Sequence, residues 1–221
     1  MRKIALYMLL VMALGICGCG KTEETDISSQ PEESLVQEAV KEEENIVFTA
    51  GKIENGSYQN PSIRLAFDVT EDMYVLTGEQ ISKVYAEGCE EMTGEECEAV
   101  IPEGITYDAM VYLPDMLSNV IVQVEDVTVT FPEEEMTADL YVQKTIAALS
   151  EMEEIHYTVS DVTMKEIGEA QYLYYEADTG IGFVKYCYVR KLGNYMISIL
   201  ITEADGSEEM VDALMASLRE I

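Results

Sequence analysis

Ala170-Gln-Tyr-Leu-Tyr-Tyr-Glu-Ala177, Phe183-Val-Lys-Tyr-Cys-Tyr-Val-Arg190 and Tyr195-Met-Ile-Ser-Ile-Leu-Ile-Thr202 follow one another with only Gly180, Gly182 and Gly193-Asn194 between them. Runs of this length, rich in Tyr, Val and Ile and broken by glycine, read as strands joined by hairpins. Ile155–Val162 precedes them as a fourth run, separated by Gly168. Together they predict an antiparallel meander. Working outward, Val211, Leu214, Met215 and Leu218 give an apolar stripe to a closing helix that opens at Asp205-Gly-Ser-Glu208. Upstream, Thr137 caps a helix running to about Leu149, with Val142, Ile146 and Leu149 facing inward. Ala109–Leu113 and Val120–Val124 form a strand pair joined by a turn over Asp115 to Asn119. Gly78–Ala86 carries Ile81, Val84 and Tyr85 at helical spacing behind Thr77. Ile63, Leu65, Phe67 and Val69 alternate as a strand, preceded by an Asn55-Gly56 turn. Strands in series with helices at the edges define an α+β fold, an antiparallel β-sheet covered by helices, over residues 46–221.

The first 45 residues read differently. Arg2 and Lys3 precede an uncharged run, Ile4 to Ile16, too short to span a bilayer, which needs about 20 apolar residues. Residues 16–19 are Ile-Cys-Gly-Cys. This resembles the lipobox of bacterial lipoproteins, with Gly18 before Cys19 and Ile16 three residues back; Cys17, behind bulky Ile16, fits less well. The resemblance implies a signal peptide over residues 1–18, a diacylglyceryl thioether on Cys19, and a place on the extracytoplasmic face of the cell membrane. Two acyl chains anchor stably where one does not. Residues 19–45 then carry nine acidic side chains from Glu23 to Glu44 and few apolar ones, so they cannot bury enough surface to offset ordering. This reads as a flexible acidic tether; roughly 25 residues of coil reach about 28 Å.

The whole chain holds 13 basic and 43 acidic residues for a formal charge of −30. Such a balance excludes nucleic acid, whose binding depends on Lys and Arg neutralising phosphates. It also opposes adsorption of the domain to an anionic bilayer through its own charge. It favours solubility, or weak binding of divalent cations.

A wider likeness rests on Gly51-Lys-Ile-Glu-Asn-Gly-Ser-Tyr58, then Asn60, then Ile63-Arg-Leu-Ala-Phe67. It resembles the opening of PsbP-like domains, among them many surface lipoproteins of anaerobic Gram-positive bacteria. The order of elements that follows is also similar, with Tyr74 standing where that family usually carries Trp. The resemblance implies an α/β/α sandwich. Because the photosynthetic members are non-enzymatic accessory subunits, it also implies a binding or assembly role with a protein or cell-wall partner.

No catalytic or metal-binding constellation stands out. His156 is the only histidine; zinc needs more ligands and a nucleophilic triad needs partners that no motif supplies. No cofactor is expected. The acidic clusters at Glu90, Glu91, Glu95, Glu96 and Glu98, at Glu133–Glu135, and at Glu203, Asp205, Glu208 and Glu209 do not follow the spacing of a calcium loop. Asp205 and Glu208 have a helix-capping role instead. Three cysteines remain in the domain. Cys89 and Cys97 are the local disulfide pair, against the alternative of three reduced thiols, and Cys187 packs as a small hydrophobe. Tyr172 and Tyr174 share a strand face, as do Tyr186 and Tyr188; if the faces coincide they make an aromatic recognition surface. The function implied is a non-catalytic binding or assembly module on the membrane. The alternatives are a cell-wall hydrolase with paired carboxylates and a weak divalent-cation binder.

Overall fold

The computed structural model describes residues 46–93, 96–152 and 155–221. The expected signal segment, Cys19 and the expected tether lie outside the described residues. The domain starts with a hairpin of β1 (Lys52–Glu54) and β2 (Ser57–Asn60), to which β3 (Leu65–Asp68) adds as a third antiparallel strand. Asn55 and Gly56 make the turn, with φ of 53° and 74°, the left-handed pair that matches a two-residue hairpin to strand twist. After β4 (Tyr74–Val75), α1 runs over Gly78–Thr93. Thr77 Oγ1 accepts from the Gln80 N–H at 3.3 Å, and Gln80 Oε1 accepts from the Thr77 N–H at 2.8 Å, a reciprocal cap. The helix outlasts the expected end at Ala86 because its last two turns carry few apolar residues, so its hydrophobic spacing stops first.

Strands β5 (Ile105–Tyr112) and β6 (Asn119–Asp126), the single turn α2 (Val127–Thr130) and helix α3 (Ala138–Ser150) come next. Thr137 Oγ1 caps α3 through the Leu140 N–H at 3.2 Å. The chain then lays down β7 (Thr158–Val159), β8 (Thr163–Ile167), β9 (Ala170–Asp178), β10 (Phe183–Leu192), β11 (Tyr195–Ala204) and α4 (Glu208–Ser217). The eight-stranded sheet has the order β4-β5-β6-β11-β10-β9-β7, with β8 also on β9, and every pairing is antiparallel.

One expected strand is corrected. Of Ile155–Val162 only Thr158 and Val159 pair with β9, and the longer edge strand is Thr163–Ile167. Ser160 interrupts the ladder by accepting the Glu176 N–H on its Oγ at 2.9 Å. Thr163, Met164, Lys165 and Glu166 are all exposed, so β8 lacks the apolar alternation by which a half-buried strand is recognised.

Side chains on the two faces of the large sheet feed two cores. Met110, Ile121, Leu200, Cys187 and Tyr175 form one cross-strand row, which packs under Ile81 and Val84 of α1 and Tyr141, Val142 and Leu149 of α3. Ala109, Val122, Ile199, Tyr188 and Tyr174 form a row on the opposite face, packed with Tyr58, Leu65 and Phe67 of the small sheet, Ile63 beside it, and Val211 and Leu214 of α4. The fold is therefore α+β, with two helices on one side and a small sheet beside a helix on the other. Burying each of Ile63, Leu65 and Phe67, all fully inaccessible, contributes about 1.5–3 kcal/mol.

Asp108 fastens the small sheet to the large one. It sits where the β5–β6 register shifts between Tyr107 and Ala109, the extra residue of a bulge. Its Oδ1 accepts from the Gly51 N–H at 2.8 Å. Its Oδ2 accepts from the Tyr58 hydroxyl and from Asn60 Nδ2, the latter at 2.6 Å. Gly51, Tyr58 and Asn60 thus share one carboxylate. A Cβ on Gly51 would lie 2.7 Å from the Tyr58 ring and 2.8 Å from Asp108 Oδ2, so only glycine fits. Burial, then the neighbouring Asp108 charge, pushes the Tyr58 phenol far above its usual range and keeps it a donor.

The far end closes the same layer. Arg219 and Ala66 exchange both backbone hydrogen bonds at 2.9 Å. The Arg219 guanidinium reaches Asp68 at 2.7 Å and Ser57 Oγ at 2.9 Å. At the β5–β6 turn, Asp115 accepts from the Leu117 and Ser118 amides at 3.0 and 2.9 Å, from Ser118 Oγ at 2.7 Å and from Ser207 Oγ at 2.6 Å. Burial acts to raise its carboxyl, but these donors outweigh burial and hold it below the usual range. Ser207, the residue before α4, therefore gives its hydroxyl to Asp115 rather than to the helix. Asp205 does not cap α4 as expected, and Glu208 Oε1 accepts only from the Gly206 N–H at 3.3 Å.

Replacing Asp108 by Ala strands three donors, each worth roughly 1 kcal/mol or more; urea unfolding is expected to show a loss of about 3 kcal/mol, with Tyr58→Phe costing about a third of that. The Asp115 contribution is present above the ordinary aspartate value of 3.8 and is lost as pH falls through the lower folded value. The difference in urea midpoint between the native chain and Asp115→Asn is thus expected to be constant above about pH 5 and to shrink in stronger acid.

Candidate functional site

The four tyrosines fall on one face of the large sheet, but that face is covered. Tyr172, Tyr174 and Tyr188 are buried and Tyr186 is half-buried. Tyr188 lies edge-on to Tyr172 at 6.3 Å and tilted against Tyr174 at 4.9 Å, and its hydroxyl meets Met215 Sδ of α4 at 3.8 Å. Lys165 Nζ covers the Tyr174 ring at 4.7 Å. The expectation of an open aromatic recognition face is corrected: β propensity and α4 make these rings core. At the rim of the same face, Tyr174 donates to Glu176 Oε1 at 2.6 Å and Tyr186 to Glu203 Oε2 at 3.1 Å. Burial, then Glu208, Asp212 and Glu176, raise the Glu203 carboxyl against the lowering bond from Tyr186.

His156 is exposed and outside any strand. Glu133, Glu134 and Glu135 are exposed, with Glu134 paired to Lys144 at 3.1 Å. Among the described residues no three His, Cys, Asp or Glu side chains come together as a metal ion would require. Cys89 and Cys97 form a disulfide from the last turns of α1 to the following loop, with Cα atoms 6.0 Å apart. Cys187 is free and buried. Burial pushes its thiol up to about 11 despite Lys185 and a bond with Tyr175.

The unexpected polar groups lie under α1 and α3. Glu125 is 2% exposed; its Oε2 accepts from the Tyr141 hydroxyl at 2.7 Å and from Gln123 Nε2 at 3.5 Å. Tyr107, beside them, is buried with its hydroxyl unpartnered. Burial, then Tyr85 and Glu125, pushes its phenol above the ordinary range. At the opposite end of the same layer, Lys185 is also 2% exposed. Its register partners are Thr202 on β11 and Ala177 on β9. Burial lowers its ammonium to about 8, against a smaller opposing effect of Cys187. Asn119 Oδ1 and the Tyr157 hydroxyl, both near this end, are buried without a partner. On the other face Arg190 is buried above the Tyr172 ring at 5.0 Å and donates to the Ile63 carbonyl. None of these buried charges was marked in the sequence. Lys185 stands between Val184 and Tyr186 as a solvent-facing residue would, while Glu125 and Arg190 each adjoin a further charged residue, Asp126 and Lys191, as at a strand end.

The geometry defines an antiparallel α+β domain with buried, incompletely satisfied polar groups between its sheet and its helices. No protein-family model and no curated protein matches the chain. Among solved structures it is similar to cyanobacterial PsbP (CyanoP) of Synechocystis, at 10% identity and a TM-score of 0.47, over 78% of this chain and 98% of that one. It is also similar to LpqN of Mycobacterium tuberculosis, described as involved in cell envelope biogenesis, at 8% identity and 0.38, over 70% and 82%. A third likeness, to a protein of Bacteroides thetaiotaomicron at 12% identity and 0.35, covers 76% of this chain and 49% of the other. These likenesses concern the arrangement of strands and helices.

A buried ammonium whose value falls from 10.5 to about 8 opposes folding wherever it is charged. Lys185→Met is expected to stabilise the protein at neutral pH by on the order of 3 kcal/mol. Between about pH 8 and pH 10.5 the unfolded chain holds the extra proton, so native stability rises with pH and the advantage of the variant should shrink in parallel urea titrations.

Proposed function

We propose that this chain is a lipoprotein anchored to the extracytoplasmic face of the membrane through Cys19, and that its domain is a non-catalytic binding or assembly module. The observation that carries the address is the order of Arg2-Lys3, the uncharged run Ile4 to Ile16, and Gly18-Cys19 ahead of an acidic stretch. A chain with 43 acidic residues is repelled by an anionic bilayer, so a covalent anchor gives it the attachment that its own charge opposes. The tether then sets the domain off from the headgroups, towards a protein or cell-wall partner.

What supports the binding role is the way the domain uses its polar side chains. Asp108, Asp115 and Arg219 hold layers together, whereas Asn119 Oδ1 and the hydroxyls of Tyr157 and Tyr107 are buried with bonding capacity to spare, and Lys185 is buried without an ion-pair partner among the described residues. Groups of the second kind suit a bound molecule better than they suit the fold alone.

The anchor is tested by mass spectrometry of membrane-extracted protein from cells expressing the native chain and Cys19→Ala. The native chain is expected to begin at Cys19 with a diacylglyceryl group, and the variant to lose the lipid and appear in the medium. A variant that keeps its lipid overturns the assignment.

A further inference from the structure

Lys185 carries a charge that nothing around it neutralises. Among the described residues no carboxylate pairs with it and no group accepts a hydrogen bond from its Nζ. A buried ammonium without a counter-charge opposes folding, because its lost hydration is not replaced. In a chain with more than three acidic residues for each basic one, the lack of a carboxylate here is a property of the site and not of the composition.

The strand register shows what surrounds it. Thr202 pairs with Lys185 on one side and with Asn119 on the other, so the three side chains rise in one row from the same face. Across β10 the next residue in that row is Ala177, followed by Val159 of β7. Alanine offers only a methyl group beside the lysine stem. Tyr157, just before β7, packs against the same core cluster as Val159 and Ala177. Its side chain packs with Ile155 and Phe183, and Phe183 is two residues before Lys185 on β10. Lys185 thus lies between two elements that each bring an orphaned polar atom. Asn119 Nδ2 is turned to the Leu117 carbonyl at 3.4 Å, and its Oδ1 is left without a donor. The Tyr157 hydroxyl is buried and unpartnered. Two of the buried unpartnered oxygens, on β6 and on the approach to β7, thus flank a buried lysine of β10 whose Nζ no described group accepts from.

Their chemistry selects a ligand. One ammonium neutralises one negative charge, which favours a monocarboxylate over a phosphate dianion. The ammonium and the phenol both donate, which suits the two oxygens of a carboxylate. Asn119 Oδ1 only accepts, so the ligand must also present a donor, and a hydroxyl next to the carboxylate supplies it. The geometry points to a binding site for a small hydroxycarboxylate, with Lys185 and Tyr157 donating to the carboxylate and Asn119 accepting from the hydroxyl. This site deepens the binding-module reading and is independent of the anchor. Loss of lipidation at Cys19 would leave it intact, and its failure would leave the anchor standing.

The test is calorimetric titration and thermal melting of the full chain at neutral pH with L-lactate, propionate and chloride as probes. L-lactate is expected to bind saturably and raise the melting temperature. Propionate, lacking the hydroxyl, should bind about tenfold or more weakly, and chloride should do nothing. Lys185→Met, which should melt no lower than the native chain, is expected to lose the response entirely, and Tyr157→Phe to weaken it. The proposal is overturned if L-lactate at tens of millimolar gives neither heat nor a shift. It is overturned equally if lactate, propionate and chloride act alike, or if Lys185→Met or Tyr157→Phe binds as the native chain does.

Discussion

The Asp108 carboxylate is the constraint on which the two-layer arrangement depends. A bulge in β5 supplies an extra residue at the sheet edge, and that residue gathers donors from before β1 and from β2. Without it, the first hairpin would lie on the large sheet chiefly through apolar contacts, and such contacts are non-directional. One carboxylate holding a backbone amide, a phenol and a side-chain amide fixes position and angle together. It also accounts for the spacing of Gly51, Tyr58 and Asn60: Gly51 must let two side chains approach its Cα, Tyr58 must reach along the strand, and Asn60 must point the same way two residues later.

Much of the domain was legible in the sequence because its central strands are buried on both sides. β9, β10 and β11 read as apolar runs with glycine punctuation, and Thr77 and Thr137 mark helix starts by their chemistry. Edge strand β8 was not legible, since Thr163 to Glu166 all face solvent. Asp108 gave no signal either, since a bulge leaves no trace in alternation. The candidate site was hidden for a related reason. In Val122-Gln-Val-Glu125 and Val184-Lys-Tyr186 the polar residues fall where a one-sided sheet would meet water. Here α1 and α3 cover that side, so Gln123, Glu125 and Lys185 are enclosed. The amphipathic stripes predicted for those helices were the available clue, because each needs a sheet face to bury against.

Tyrosine shows how composition misleads about exposure. Fourteen tyrosines and no tryptophan suggest a surface for recognition, yet Tyr58, Tyr172 and Tyr175 are among the largest fully enclosed side chains. Several carry their hydroxyl to a carboxylate: Tyr58 to Asp108, Tyr141 to Glu125, Tyr174 to Glu176 and Tyr186 to Glu203. In so acidic a protein the phenol serves as a neutral donor that can approach an anion without adding charge.

The strand pairing of Arg219 with Ala66 has a consequence for how the chain matures. The small sheet is drawn from residues 52–68, but its outer edge is completed by a segment about 150 residues later. During synthesis the first hairpin emerges early and waits for its last neighbour. The apolar side of the small sheet, with Ile63 beside it and Leu65 and Phe67 in β3, lacks part of its cover until α4 and the segment behind it have been released. The domain therefore completes this layer only once Arg219 is available to pair with Ala66, and pairings of such long sequence separation are the slow ones. The interval between the first hairpin and the last helix is the period in which the nascent chain is most open to wrong associations.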